Sequence, residues 1–309
     1  MRIAAIYDIH ANLPALEAVI GKIRQEGVDR VVVGGDVLPG PMPVETVERL
    51  RDLDVPVQFI YGNGEVAVLE QLAGRDPTAV PEPYRPVIRW TAEQLQPEHQ
   101  RFLAAWPKTL CLDVPGLGAV LFCHATPRNE NECFTRLTPE SRLLPVFAGL
   151  NAALVVCGHT HMQFDRQVGR IRVVNAGSVG MPFGSPCAQW LVLGTDVELR
   201  STPYDLPQAA ERIRGTSYPQ AEDFARTSVL HALQSRPCLR CFPAWSVSKA
   251  DNRLTGSRRC NGRGGRVARA FSRALRQAFA PEFPEQNGDN CLLTTNFGFV
   301  DLPFSRLLA

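Results

Sequence analysis

The first part of the chain alternates short apolar runs with amphipathic stretches. Apolar runs rich in β-forming residues cover positions 2–7, 30–33 and 55–61. Between them, apolar side chains recur every three or four positions over 16–23 and 44–53, as they do on one face of a helix. Pro14 opens the first helical stretch and Gly27 ends it. Repeated strand–helix–strand units predict a largely parallel sheet that is covered by helices.

The pattern changes after residue 106. Two further helical stretches cover 66–72 and 91–106, and apolar runs at 110–114 and 119–122 then flank Pro115-Gly116-Leu117-Gly118 as a hairpin. Apolar runs at 153–156, 170–174 and 189–193 form a second set of strands, and helical patterns cover 206–214 and 220–233. This order predicts an α/β fold in which two β-sheets pack together as a sandwich flanked by helices.

Composition divides the chain near residue 235. The 309 residues are 45% hydrophobic and 21% charged, which is typical of a folded globular protein. Residues 231–309 carry 12 basic and 5 acidic side chains, whereas residues 1–230 carry 21 basic and 26 acidic ones. We therefore expect a folded domain over 1–235 and an Arg-rich extension over 236–309. Three interpretations of the extension stay open: a functional segment, a disordered segment or the product of a frameshift.

The uncharged stretches do not have the character of membrane segments. Residues 143–164 and 173–195 are long enough to span a bilayer, but they contain prolines, glycines or histidines. Only five apolar residues separate Arg2 from Asp8, which is too few for the apolar region of a secretory signal. We expect a cytoplasmic protein without a membrane partner. The acidic character of the first 230 residues also argues against nucleic acid as a partner.

Residues of metal-ligand type follow the predicted strands directly. They are Asp8, His10, Asp36, Asn63, His124, His159 and His161. Residues two apart in extended backbone point to the same side, so the pair Asp8/His10 and the pair His159/His161 can each reach one site. Oxygen and imidazole ligands without thiolate suit Mn²⁺, Fe or Zn²⁺.

Asp36 is the candidate for a carboxylate that bridges two metal ions about 3.5–4 Å apart. Such a pair of ions would neutralise phosphate oxygens and lower the pKa of a bridging water, so that hydroxide attacks at neutral pH. The residue types and their positions thus predict phosphoester hydrolysis.

These residues lie in five ordered motifs that resemble those of the calcineurin-like metallophosphoesterases, particularly their small bacterial YfcE-type branch. The motifs are Asp8-Ile9-His10-Ala11-Asn12, Gly35-Asp36, Gly62-Asn63, His124 after a strand, and Gly158-His159-Thr160-His161, with Asn175-Ala176-Gly177-Ser178 following. The resemblance covers residues 1–235 and implies a four-layer α/β/β/α sandwich. It also implies two metal sites, one held by Asp8, His10, Asp36 and His161 and the other by Asp36, Asn63, His124 and His159.

The resemblance further implies cofactors and a function. The catalytic residues it indicates are Asp36, Asn63 and His124. The cofactors are two divalent or trivalent metal ions, with Mn²⁺ as the first choice and Fe, Zn²⁺ or Ni²⁺ as alternatives. We expect hydrolysis of a small phosphoester by a metal-bridging hydroxide, and a homo-oligomer is left open. A non-catalytic metal-binding scaffold of the same fold and a nuclease of the superfamily are the alternative hypotheses.

The sequence departs from the family pattern at three positions. Gly64 stands where many members carry the histidine thought to protonate the leaving group. This difference favours phosphodiesters, or esters with good leaving groups, as substrates. Tyr7 and Ala11 replace the usual Ser before the first motif's Asp and the usual Gly after its His. These two changes are expected to alter the pocket wall rather than the ligands.

Six other residues attract attention because of their type or position: His99, His231, Arg128, Asn129, Cys123 and Cys157. The two histidines are interpreted as solvated side chains, and the two cysteines as small hydrophobes in strands. Arg128 and Asn129 are either a phosphate-binding pair or part of a solvated loop.

Overall fold

Residues 1–232 are described by the computed structural model, and they contain ten strands in two five-stranded sheets. In chain order the strands are β1 (Ile3–Ile6), β2 (Arg30–Val33), β3 (Val57–Phe59), β4 (Thr109–Val114), β5 (Gly118–Cys123), β6 (Leu154–Cys157), β7 (Phe164–Val168), β8 (Ile171–Asn175), β9 (Ala188–Leu193) and β10 (Val197–Thr202). Sheet A has the order β10–β9–β1–β2–β3, and sheet B has the order β4–β5–β6–β8–β7. The predicted pair of sheets is confirmed.

Helices within residues 1–232 connect and flank these strands. They are α1 (Leu13–Glu26), α2 (Pro43–Arg51), α3 (Asn63–Leu72), α4 (Arg85–Gln94), α5 (Pro97–Ala104), α6 (Glu140–Phe147), α7 (Leu206–Arg214) and α8 (Ala221–Phe224). A short 3₁₀ turn, Glu82–Tyr84, precedes α4, and a π-helical turn, Ala225–Leu230, follows α8.

Each sheet combines three neighbouring parallel strands with antiparallel pairings. Strands β1, β2 and β3 pair in parallel, and β9 joins β1 from the other side in the antiparallel sense. In sheet B, β5, β6 and β8 are parallel, whereas β4 and β7 are antiparallel edge strands. The carboxyl ends of neighbouring parallel strands therefore meet at one edge of each sheet, where loops can gather polar groups.

The side chains of β1 alternate between two apolar cores. Ile3 and Ala5 are buried between the sheets, whereas Ala4 and Ile6 are buried beneath the helices on the outer face of sheet A. This alternation is the two-residue period of a strand that is covered on both faces. On the outer face of sheet B, Phe147 of α6 lies in a third apolar cluster. The layers are thus helix, sheet, sheet and helix.

Three elements were absent from the predicted pattern. Strands β7 and β10 lie at sheet edges and expose polar or charged side chains along most of their length, so neither forms an apolar run. Helix α6 contains Pro145, a residue that ordinarily interrupts helices.

The helix predicted over 91–106 was wrong in its extent, because the structure has two helices there. Helix α4 ends at Gln94 and α5 begins at Pro97, with Leu95 and Gln96 in extended backbone between them. A proline ring disfavours helical backbone in the residue that precedes it, which separates the two helices. The helix predicted over 220–233 is α8 followed by the π-helical turn, which ends at Leu230.

The predicted domain boundary at residue 235 and the extension over 236–309 lie outside the described residues. Within residues 1–232, no helix is both long and apolar enough to cross a membrane. His231 is exposed, as predicted, and its Nδ1 donates to the Arg226 carbonyl over 2.9 Å.

Candidate metal centre

The seven predicted ligands come together where the two sheets meet. From sheet A, Asp8 and His10 follow β1, Asp36 follows β2, and Asn63 is the first residue of α3 after β3. From sheet B, three histidines follow the ends of β5 and β6: His124, His159 and His161. Six of the seven form two compact groups, Asp8/His10/His161 and Asp36/His124/His159, and in each group the ligand atoms lie within 4.8 Å of one another.

The first group leaves a buried carboxylate oxygen without a hydrogen bond. His10 Nε2 lies 3.2 Å from His161 Nε2, and His161 Nε2 lies 3.4 Å from Asp8 Oδ1. Asp8 is fully buried, yet its Oδ1 accepts no hydrogen bond from any residue in 1–232. An unpaired buried carboxylate oxygen is costly, and a cation bound beside the two imidazoles would compensate it. The donor set of this group therefore fits a metal ion.

Asn63 adds a fourth ligand-type side chain to the second group, and Asp36 connects that group to the first. Asn63 Oδ1 lies 3.0 Å from His124 Nε2, and Asp36 Oδ2 lies 3.5 Å from the same nitrogen. Asp36 Oδ2 is also 3.9 Å from His10 Nε2, which belongs to the first group. Asp36 thus lies between the two groups, which is the place of a bridging ligand.

Backbone carbonyls fix the orientation of two of the imidazole rings. His124 Nδ1 lies 3.0 Å from the Gly34 carbonyl, and His161 Nδ1 lies 2.8 Å from the Met181 carbonyl. A carbonyl oxygen only accepts hydrogen bonds, so each neutral ring carries its proton on Nδ1. The Nε2 lone pairs are then directed into the cluster, which is the arrangement of metal-binding histidines.

The two carboxylates give the cluster an affinity for positive charge. Burial disfavours a charged His124, but Asp36 and Asp8 outweigh it and raise the pKa of His124 to about 10. Burial and then His161 lower the pKa of His10 to about 4, and burial and then His124 lower that of His159 to about 3. Desolvation opposes the charged form of Asp36, yet the neighbouring histidines lower its pKa below the usual range.

Unfavourable backbone conformations are concentrated in the same place. In the described part of the chain, six residues other than glycine have positive φ: Asp8, His10, Ala11, Asp36, His159 and His161. Their φ angles lie between 47° and 67°, in the left-handed region that such residues rarely adopt. Five of the six are predicted ligands. Strain of this kind typically accumulates where a fold holds functional groups in position.

Glu65 is a residue whose role sequence reasoning missed. Its buried carboxylate accepts hydrogen bonds from the amides of Asp36 (2.9 Å), Gly62 (2.7 Å) and Leu38 (3.0 Å). Burial and then Asp36 raise its pKa to about 7, whereas the amide donors Leu38 and Gly62 oppose that shift. Glu65 joins the loop after β2 to the start of α3. The sequence signal for this role was an acidic residue directly after Gly62-Asn63-Gly64. Two of the groups that Glu65 binds, the amides of Asp36 and Leu38, are distant from it in sequence, so the role could not be predicted.

The loop after β2 also explains the glycine at position 64. The amide of Gly64 donates to Asp36 Oδ1 over 2.7 Å. A Cβ atom at this position would overlap the carbonyl oxygen of Leu38 and lie 3.0 Å from Asp36 Oδ1. The backbone of the loop thus occupies the space that any larger side chain would need.

The residues beside His124 are bound to the protein itself. Arg128 Nε donates to Glu132 Oε2 over 2.8 Å, and the Thr126 hydroxyl donates to the same oxygen over 2.9 Å. Asn129 Oδ1 accepts from the Asn131 amide over 2.7 Å. These bonds favour the loop interpretation of Arg128 and Asn129. Another neighbour, not predicted, is Cys133, whose Sγ lies 3.2 Å from His159 Nε2.

The prediction that His99 is solvated was wrong. His99 is 3% exposed, its Nδ1 accepts from the Gln96 amide over 3.0 Å, and its Nε2 lies 2.9 Å from Glu48 Oε1. With Nδ1 accepting, the proton of the neutral ring is on Nε2 and is donated to Glu48. Although Glu98 also lies close, neither ring nitrogen then offers a lone pair to a metal ion. Cys123 and Cys157 are buried in the apolar cluster of sheet B, as predicted.

Comparison with known proteins agrees with the fold and the motifs. Residues 1–197 match the family model of the calcineurin-like phosphoesterase superfamily domain. The chain is 29% identical over 239 residues to the uncharacterized protein MJ0912 of Methanocaldococcus jannaschii, covering 71% of this chain and 94% of that protein. It is 28% identical over 207 residues to phosphodiesterase YfcE of Escherichia coli K12, covering 64% and 89% of the two chains.

A solved structure gives the same result. The crystal structure of a metallophosphoesterase from Sphaerobacter thermophilus matches with a TM-score of 0.58 and 26% identity, covering 74% of this chain and 99% of that chain. The shared fold, the ordered motifs and a family model that covers more than half of the sequence lead to one conclusion. The protein belongs to the calcineurin-like phosphoesterase superfamily.

Proposed function

We propose that this protein hydrolyses phosphoesters at a centre that binds two metal ions. The observation that carries the proposal is the position of Asp36, whose Oδ2 lies 3.5 Å from His124 Nε2 and 3.9 Å from His10 Nε2. It thereby links two groups of ligand-type side chains, each of which combines residues from both sheets. A single structural ion would need only one such group.

The donor set determines which ions suit the centre. Carboxylate, amide and imidazole donors suit Mn²⁺ first, with Fe, Zn²⁺ or Ni²⁺ as alternatives. Two such ions, when bound, activate water as a nucleophile and neutralise the charge that develops on phosphate oxygens. One ion would be held by Asp8, His10, Asp36 and His161, and the other by Asp36, Asn63, His124 and His159.

The protein's own groups hold this arrangement in place before substrate arrives. The Gly34 and Met181 carbonyls orient His124 and His161, and the Gly64 amide orients Asp36. Preorganised groups of this kind need no rearrangement as charge develops, which is the principal electrostatic contribution to catalysis. Asn63, His124 and Asp36 are the residues we assign closest to the reacting phosphate.

Position 64 supports a preference among substrates. Helix α3 presents no side chain there, and the Leu38 carbonyl occupies the adjoining space. A positioned acid typically contributes about 10²–10⁴ in rate, and most when the leaving group is strongly basic. We therefore favour phosphodiesters or esters with good leaving groups. YfcE of Escherichia coli, a relative at 28% identity, is named a phosphodiesterase.

The proposal is tested by elemental analysis together with a screen of mono- and diesters in Mn²⁺. The expected result is two metal ions per chain and hydrolysis of small diesters that is lost on chelation. Metal binding without turnover of any ester would support the scaffold hypothesis instead. Hydrolysis confined to DNA or RNA, with binding that weakens steeply as salt rises, would support the nuclease hypothesis.

A further inference from the structure

Tyr7 is a large side chain buried directly beneath the candidate metal centre. It lies between the end of β1 and Asp8, and it is fully buried between the two sheets. Its hydroxyl donates to the Val156 carbonyl of β6 over 3.1 Å. A residue of sheet A is thereby bound to sheet B just below the ligands.

Two glycines make room for the Tyr7 ring. A Cβ atom at Gly34 would overlap the ring, and a Cβ atom at Gly158 would lie 2.6 Å from Tyr7 Cδ1. Gly34 follows β2 of sheet A, and Gly158 follows β6 of sheet B. The ring is therefore in close contact with backbone from both sheets.

Both glycines are connected to candidate ligands. The Gly34 carbonyl accepts from Nδ1 of His124 over 3.0 Å, and the Gly34–Gly35 backbone leads directly to Asp36. The Gly158 amide donates to the His124 carbonyl over 2.8 Å, and Gly158 directly precedes His159. The three residues of one group, Asp36, His124 and His159, are thus each attached to backbone that contacts the ring.

We infer that Tyr7 is a positioning residue that sets the spacing of the two groups of ligands, and with it the distance between two bound metal ions. The inference rests on the proposed two-metal function. Close-packed interiors transmit a change of side-chain volume to neighbouring backbone, because few voids exist to absorb it. A smaller side chain at position 7 would let Gly34 and Gly158 approach each other and move the groups attached to them.

The test compares Mn²⁺ binding by Tyr7→Leu, Tyr7→Phe and Ile3→Ala with binding by the unaltered full-length protein. Tyr7→Phe keeps the ring and removes only the hydroxyl. Ile3→Ala makes a cavity in the same core between the sheets, but at the other end of β1. Ile3 and Tyr7 are four positions apart in the sequence, which places this cavity about 13 Å from Tyr7, since extended backbone rises about 3.3 Å per residue. The readouts are Mn²⁺ affinity by calorimetry and the exchange-coupled signal of a Mn²⁺ pair in electron paramagnetic resonance.

We expect Tyr7→Leu to weaken binding of the second Mn²⁺ by about 10–100-fold, as loss of a residue behind metal ligands typically does, and to change the exchange-coupled signal. Tyr7→Phe and Ile3→Ala should keep that signal. If circular dichroism shows that Tyr7→Leu does not fold, Tyr7→Met, which fills more of the space, takes its place in the comparison.

Two results would overturn the inference while leaving the proposed function intact. The first is that Tyr7→Leu keeps the Mn²⁺ affinity and the exchange-coupled signal of the unaltered protein. The second is that Ile3→Ala loses as much Mn²⁺ affinity as Tyr7→Leu does, which would reveal a general effect of core packing. If the unaltered protein gives no signal of an exchange-coupled Mn²⁺ pair, the two-metal function itself is refuted.

Discussion

In the candidate site, the loop after β2 and the first turn of helix α3 contact each other through Asp36 and Gly64. Asp36 Oδ1 accepts the Gly64 amide over 2.7 Å, and this bond leaves Oδ2 directed between His124 and His10. The same approach of loop and helix brings the Leu38 carbonyl against the Cα of Gly64. The geometry of the shared carboxylate and the absence of a side chain at position 64 therefore have a common cause.

Replacing Asp36 by Asn should abolish hydrolysis. The change keeps the shape of the side chain but removes the charge that two cations would share, and the like charges of the cations would then be less well compensated. Phosphodiester turnover and metal content measure the effect, with Asp113→Asn, at an exposed position of β4, as the control. Wild-type turnover with two metal ions in Asp36→Asn would contradict the assignment of Asp36 as the bridge.

The protein should hydrolyse aryl phosphoesters much faster than alkyl ones. A phenolate leaves without a proton, whereas an alkoxide depends on a positioned acid that is typically worth about 10²–10⁴ in rate. The measurement is the ratio of kcat/KM for matched aryl and alkyl esters. A ratio near one would show that another group protonates the leaving group.

Gly64→His should not narrow that ratio. The overlap of its Cβ with the Leu38 carbonyl should instead destabilise the protein by about 1–3 kcal/mol, as overpacking commonly does. Gly64→Ala, which adds only the Cβ, is the matched control and should lose stability in urea unfolding as well. A stable Gly64→His protein with improved alkyl-ester turnover would contradict this interpretation of the loop.

Helices α2 and α5 are joined by a polar contact between a histidine and a glutamate. His99 of α5 accepts the Gln96 amide on Nδ1 and donates from Nε2 to Glu48 of α2 over 2.9 Å. This bond connects residues 51 positions apart in the sequence. It fixes α5 against the helical layer rather than contributing to the metal centre.

His99→Ala should lower the free energy of unfolding without affecting metal binding. The substitution removes the two hydrogen bonds that the buried His99 ring makes to the Gln96 amide and to Glu48, at a cost of about 1–3 kcal/mol. Urea unfolding measures the change in stability, and calorimetric Mn²⁺ titration serves as the control readout. Unchanged stability, or a loss of Mn²⁺ affinity, would contradict a purely structural role.

The elements that the sequence predicted are those whose burial is regular. Strands β1, β2 and β6 are apolar throughout or nearly so, and the polar residues at their ends, such as Asp8 and His159, were therefore identifiable as a cluster. Strands β7 and β10 are half exposed at sheet edges and carry no comparable run. Glu65 and His99 were missed or misread because the partners that explain them are distant in sequence.

The two sheets act together, because each supplies part of the candidate centre. Besides Tyr7, Gln163 joins them: the two hydrogens of its Nε2 are shared among the carbonyls of Ala176 after β8, Trp190 in β9 and Arg200 in β10, which lie 3.0–3.1 Å away. Ligands that bind only the folded state stabilise it by mass action. Metal binding should therefore stabilise the packing of one sheet on the other.

Truncation after Ser235 should leave a folded, active protein. Both sheets and all seven candidate ligands lie within residues 1–232, and the family model ends at residue 197. Circular dichroism, metal content and diester turnover of the truncated and full-length chains give the comparison. An insoluble or inactive truncated chain would show that residues 236–309 are needed by the domain.

Anomalous diffraction from crystals grown in Mn²⁺ tests the two-metal centre most directly. The expected map has two peaks about 3.5–4 Å apart, one beside Asp8, His10 and His161 and one beside Asn63, His124 and His159, with Asp36 in contact with both. A single peak, or two peaks of which only one contacts Asp36, would contradict the dinuclear centre proposed for this phosphoesterase.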